Sequence, residues 1–98
     1  MIRHIVMWKV ENDKDIQENS LRLKSALLGL KNNIPEIFEM EVGINIGKKS
    51  ESSCDIVLNS SFKNLADLKT YQNHSEHLRV VKLLRSLTTE KRVVDFEY

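Results

Sequence analysis

The chain has 98 residues, a length that predicts one domain over residues 1–98 with a single hydrophobic core. Its 15 lysine and arginine residues nearly balance 14 aspartate and glutamate residues, so it lacks the basic excess typical of proteins that bind nucleic acids or membrane surfaces. No apolar run approaches the roughly 18 residues of a transmembrane helix.

The first residues show no basic region followed by a long apolar segment, so we predict no signal peptide and expect a cytoplasmic protein. Cys54 is the only cysteine, which leaves no internal disulfide and no cysteine spacing of a zinc site. We expect Cys54 to be a small buried apolar side chain.

Residues 2–10 alternate with a period of two and predict a strand. One face carries Ile2, His4, Val6, Trp8 and Val10. The other face carries Ile5 and Met7 between charged residues, so we expect a central strand that is covered on both sides.

Residues 12–14 predict a turn, and Asp15 followed by Glu18 has the spacing of a capping box. A helix is then predicted to about Asn33, because its apolar residues recur at steps of three and four. Gly29 interrupts this helix, which we interpret as a close approach to a neighbouring element.

Two more strands are predicted over residues 37–46 and 54–62, separated by a polar loop. Asn64 is the predicted N-cap of a short helix that reaches Tyr71. A second helix over residues 75–86 and a last strand over residues 91–98 complete the pattern.

This order predicts the α+β class, with a ferredoxin-like β-α-β-β-α-β protomer whose helices cover one face of a four-stranded antiparallel sheet. The other face would expose Ile5, Met7, Ile37 and Val57 or the complementary set. An exposed apolar sheet of that size is unusual in a monomer. We therefore predict a homodimer through the sheet face.

Residues 71–77 place two of the three histidines beside Tyr71. Histidine is easily tuned to gain or lose a proton near neutral pH, and a nearby tyrosine completes an acid–base pair. Structural roles are also open: a hydrogen-bonded core residue for His4, a buried ring for Tyr71, and a helix cap for His74. No spacing supplies a third metal ligand, so we expect no metal and no cofactor.

In their order and spacing, several short segments resemble the Dabb family, the stress-responsive dimeric α+β barrel domain. They are residues 2–6, 34–35, 41–43, 55–58, 62, 68–71, 74, 77 and 93–96. The resemblance covers almost the whole chain and implies two ferredoxin-like protomers whose sheets face each other and close a barrel. Family members usually read His-Pro-x-His where this chain has Ser75 between His74 and His77.

Within the family, the layout is similar to that of the plant olivetolic acid cyclase, a polyketide cyclase that works by intramolecular aldol condensation. The resemblance implies catalytic roles for His77 and Tyr71, and pocket positions for His4 and His74. The histidine would take a proton next to a carbonyl, and the tyrosine hydroxyl would hydrogen-bond the developing oxyanion.

Val6 and Trp8 share the strand face of His4, so they would line the same pocket between the sheet and the helices. We therefore expect a Dabb protein that binds a small molecule there. The alternative is a cofactor-free polyketide cyclase-like or isomerase-like enzyme that uses the His77–Tyr71 pair on a carbonyl substrate. A third possibility is a monooxygenase, because other dimeric α+β barrels oxidise aromatic or haem substrates. An open pocket touching His77 favours the enzyme, whereas a filled core around Trp8 favours binding without turnover.

Overall fold

The computed structural model describes residues 1–11 and 15–98, and the turn predicted at residues 12–14 lies outside them. The described elements are, in chain order, β1 (Ile2–Val10), α1 (Ile16–Asn33), β2 (Glu39–Ile44), β3 (Ile56–Phe62), α2 (Leu65–Asn73), α3 (Ser75–Leu87) and β4 (Thr88–Glu97). The predicted ferredoxin-like β-α-β-β-α-β fold is confirmed.

The four strands form one antiparallel sheet in the order β2-β3-β1-β4, with β1 in the interior. In this register His4 lies opposite Ser60 on β3 and Asp95 on β4. Directly opposite residues of antiparallel strands point to the same face. The register therefore brings Asp95, which is 91 residues away along the chain, beside His4.

The helices cover the face of β1 that carries Ile2, His4, Val6, Trp8 and Val10, and all five are buried. Leu23, Leu27 and Leu30 of α1 complete this core. On the other face of β1, Ile5 is half-buried and Met7 is exposed in the single chain. We expected both faces of β1 to be covered, but the described residues of this chain leave the face of Ile5 and Met7 open.

Both predicted N-caps are confirmed. The Asp15 side chain accepts a hydrogen bond from the Glu18 backbone N–H at 3.1 Å, and the Asn64 side chain accepts one from the Asp67 N–H at 2.8 Å. Each cap satisfies a backbone donor that the first helical turn leaves unpaired.

Four details of the sequence interpretation are wrong. Ile37 lies outside β2 in a turn, with its N–H bonded to the Ile34 carbonyl, and it is buried in the core. A Cβ added at Gly29 would meet nothing within 4 Å, so no neighbour requires a glycine there. Cys54 is only half-buried. Strand β4 also begins at Thr88, earlier than predicted, because the chain leaves α3 directly into its pairing with Val10.

A buried carboxylate fixes the end of β1. Asp55 Oδ2 accepts a hydrogen bond from the Val10 N–H at 2.7 Å, and the Asp55 N–H donates to the Trp8 carbonyl at 2.8 Å. Lys49 Nζ lies 3.5 Å from Asp55 Oδ1. Because a buried acceptor is costly to leave unpaired, these contacts hold the backbone around Trp8 in one position.

Candidate functional site

A cavity of about 360 Å³, partly open to solvent, lies between the helix-covered side of the sheet and α3. Its volume is within the range of roughly 300–1,000 Å³ that is typical of small-molecule sites. About half of the residues in its wall are apolar, and these come from β1, α1, β3, α3 and β4. The apolar lining residues are Val6, Trp8, Leu27, Leu58, Val80, Val81, Leu84 and Val93.

The predicted convergence of three side chains is observed, because this cavity is lined by His4, Tyr71 and His77. The ring centroids of Tyr71 and His77 are 4.4 Å apart, and those of His4 and Tyr71 are 6.1 Å apart. Val6 and Trp8 lie in the same wall. Trp8 does not close the space, because the cavity extends from it along α3.

His74 does not line the cavity. It is the C-cap of α2 and the N-cap of α3, and its Nδ1 accepts a hydrogen bond from the Glu76 N–H at 3.0 Å. The helix therefore starts at Ser75 without a proline. His74 fixes the start of α3, the helix that carries His77. In the structure His74 therefore has the role of a helix cap.

His77 is held in one tautomer by the end of α2. The Gln72 carbonyl, in the last turn of that helix, accepts a hydrogen bond from His77 Nδ1 at 3.0 Å. The last carbonyls of a helix have no partner inside it, so this acceptor is free for the imidazole. With the proton on Nδ1, neutral His77 presents Nε2 as a hydrogen-bond acceptor.

Burial lowers the pKa of His77 below its ordinary value. The hydrogen bond to the Gln72 carbonyl opposes this shift, and electrostatic repulsion from His4, Lys91 and His74 adds to it. The charged imidazolium is disfavoured because it loses hydration among apolar neighbours. His77 is therefore neutral at pH 7, with a nitrogen available to accept a proton.

Tyr71 offers a hydrogen-bond donor where His77 offers an acceptor. Burial raises the pKa of its hydroxyl well above the ordinary value, so the group stays protonated at neutral pH. Among the described residues, this hydroxyl has no hydrogen-bond partner, and the only buried side-chain polar atoms without one are those of Ser20 and Ser61. Tyr71 lines the cavity, and a protonated tyrosine hydroxyl is able to donate a hydrogen bond.

The third polar group, His4, is paired with Asp95. Its Nδ1 makes a side-chain hydrogen bond to Asp95 Oδ1. The other ring nitrogen, Nε2, takes no part in this bond. No sequence pattern indicates this pair, because Asp95 becomes a neighbour of His4 only through the β1–β4 register. The same is true of Arg85 and Lys91, two cations in the cavity lining.

Within the part of the chain formed by residues 1–11 and 15–98, no group of three or more histidine, cysteine, aspartate or glutamate residues is arranged to hold a metal ion. None of its helices is both long and apolar enough to cross a membrane.

We expect His77→Ala to lower the free energy of unfolding by less than about 1.5 kcal/mol at pH 7.5, because the imidazole is half-buried in a cavity wall. The variant should also lose the pH dependence that His77 contributes to the free energy of unfolding. The folded state binds fewer protons than the unfolded state between pH 6.5 and the lowered pKa of His77, so wild-type stability should fall as the pH drops through that window. Urea melts from about pH 7.5 to 5 measure both effects.

The control for this prediction is Leu78→Ala, which changes an exposed neighbour on the same helix and should keep the wild-type pH dependence. If His77→Ala and wild type lose stability in parallel as the pH falls, the proposed neutral, desolvated state of His77 is wrong.

Comparison with known proteins agrees with this fold. Residues 2–98 match the family model of the stress responsive A/B barrel domain, Dabb. The stress-response A/B barrel domain-containing protein DABB1 of Arabidopsis thaliana is 27% identical over 98% of this chain. This chain spans about half of that relative, 46% of its length.

Solved structures show the same similarity. A dimeric protein of unknown function with a ferredoxin-like fold from Bacteroides fragilis is 32% identical, with a TM-score of 0.84 over 99% of this chain and 95% of its own. The hydroxynitrile lyase of Passiflora edulis, at 19% identity, shares the fold with a TM-score of 0.84 over 97% of this chain and 90% of its own. With the family model matched over almost its whole length, the chain belongs to the Dabb family of stress-responsive α+β barrel domains.

Proposed function

We propose that this Dabb protein binds a small, mainly apolar molecule in the cavity between its sheet and helices. The observation that carries the proposal is the cavity of about 360 Å³, whose wall combines apolar side chains with polar groups that include His4, Tyr71 and His77. Apolar walls with a few convergent polar groups are the usual composition of ligand sites. A carbonyl oxygen would accept from the Tyr71 hydroxyl, and a hydroxyl or acidic C–H would face His77.

A titration can test this function directly, because Trp8 is the only tryptophan of the chain and lines the cavity. Its fluorescence should change as small aromatic ketones, such as propiophenone, occupy the site. Val81→Phe should weaken binding at least about 10-fold, because the larger ring fills cavity space.

The matched control is Leu78→Phe, which adds a similar ring on the exposed side of α3 and should bind like wild type. Equal binding by wild type and Val81→Phe would place the ligand elsewhere and contradict the proposal.

A second candidate is a cofactor-free enzyme that moves a proton next to a carbonyl. The neutral His77, fixed by Gln72, and the protonated Tyr71 favour it, because both face the open cavity. His77 Nε2 would take the proton, the C–H electron pair would form the enolate, and the Tyr71 hydroxyl would stabilise its oxygen. The hydroxynitrile lyase of Passiflora edulis is an enzyme with the same fold. Exchange of α-protons of propiophenone for deuterium should be faster with wild type than with His77→Gln, and equal rates would exclude this role.

We also infer that two copies pair through the open face of the sheet. In the β1–β4 register Ile5 lies opposite Val94, and Arg3 lies opposite Phe96. Val94 and Phe96 are 51% and 43% exposed. An apolar surface of this kind usually marks an interface, and the similar Bacteroides protein is dimeric.

A further inference from the structure

The cavity lining contains two cations, Arg85 and Lys91. Arg85 follows Val81 by four residues on α3, so both side chains lie on the helix face that borders the cavity. Lys91 lies opposite the buried Trp8 in the β1–β4 register, which directs it to the helix-covered side of the sheet. Two separate elements therefore place a positive charge at the same cavity.

The carboxylates near these cations are already engaged. Glu90 also lines the cavity, and its carboxylate pairs with Lys9 at 3.0 Å and with Arg92 at 3.2 Å. Asp95 pairs with His4. Among the described residues, neither Arg85 nor Lys91 belongs to an ion pair, so their charges are available to a bound molecule.

The charge of Lys91 also acts inside the cavity, because it is one of the causes that lower the pKa of His77. A positive potential in a low-dielectric cleft attracts anions. An arginine matches the two oxygens of a carboxylate with two parallel hydrogen bonds, and a lysine adds a point charge.

We propose that the ligand of this cavity is a small apolar carboxylic acid, whose carboxylate is bound by Arg85 and Lys91 while its apolar body lies against Trp8 and Val80. This assignment rests on the proposed small-molecule function and specifies its ligand class. It also fixes a direction for the ligand, because the anionic end is held where α3 continues into β4 and the other end extends toward Tyr71 and His77.

Hydrocinnamate and its neutral amide, hydrocinnamamide, make a matched pair of probes with nearly the same shape. We expect Trp8 fluorescence titrations at low salt to show about 10-fold tighter binding of the acid, a typical size for charge-assisted hydrogen bonds. In the double variant Arg85→Gln/Lys91→Gln, the acid should bind as weakly as the amide. The affinity for the amide should fall much less than that for the acid, because the amide has no charge that pairs with either cation.

Lys82→Gln is the control, because it removes an exposed cation from the same helix outside the cavity lining. It should leave the affinities for both probes as in wild type. Equal binding of acid and amide to wild type, or an unchanged preference in the double variant, would overturn the carboxylate assignment and leave the small-molecule site intact. Absence of binding by both probes would overturn the carboxylate assignment, while the propiophenone titration decides the small-molecule function by itself.

Discussion

Tyr71→Ala is expected to lower the free energy of unfolding by about 3–5 kcal/mol, the range for truncating a buried aromatic ring. The side chain is 1% exposed and joins α2 to both the sheet and α3. Its ring centroid lies 5.0 Å from that of Phe62 and 4.4 Å from that of His77. Removing the ring would leave these contacts facing an enlarged cavity. Urea melts of the purified proteins measure the loss.

Two further variants separate the ring from its hydroxyl. Tyr71→Phe should cost less than about 1 kcal/mol, because the hydroxyl has no hydrogen-bond partner among the described residues and its loss leaves no protein group unpaired. The same variant should weaken binding of a carbonyl ligand. Leu65→Ala, at an exposed position of the same helix, is the control and should change stability by about 0.5 kcal/mol or less. A loss of less than about 1 kcal/mol in the free energy of unfolding of Tyr71→Ala would contradict the packing of this ring against the sheet and α3.

The second large effect concerns assembly. We expect Val94→Asp to raise the dissociation constant of the inferred dimer at least about 100-fold, because the carboxylate would lie in the apolar interface without a partner. Val94 is opposite Ile5 on the open face of the sheet. Sedimentation equilibrium should give twice the 11.4 kDa of one chain for wild type at micromolar concentration, and should shift toward the mass of one chain for the variant.

Ser25→Asp introduces the same charge at an exposed position of α1, on the other side of the molecule from the open sheet face. It should assemble like wild type. A wild-type protein that remains a monomer at these concentrations, or a Val94→Asp dimer as stable as that of wild type, would show that the open face is not the interface.

The sequence by itself determined the features that depend on neighbours along the chain. The alternation of β1 separated its residues into two faces, since side chains of a strand point alternately to two sides. Asp15 and Asn64 marked the starts of α1 and α2, because an N-cap bonds a backbone N–H three residues away. The order of the elements then left few topologies, and the ferredoxin-like arrangement followed from it.

The tertiary structure decided which distant residues meet. Residues 37–46 alternate like a strand, but Ile37 packs in the core before β2 begins, because burial in the fold outweighs the local pattern. The partner of His4 depended on the pairing of β4 with β1, and a shift by one residue would have turned Asp95 to the other face. The two cations of the cavity, Arg85 and Lys91, likewise come together only because α3 and β4 pack against the same part of β1. Sequence periodicity shows which face a side chain occupies, but strand register and helix packing select the residue that lies opposite it.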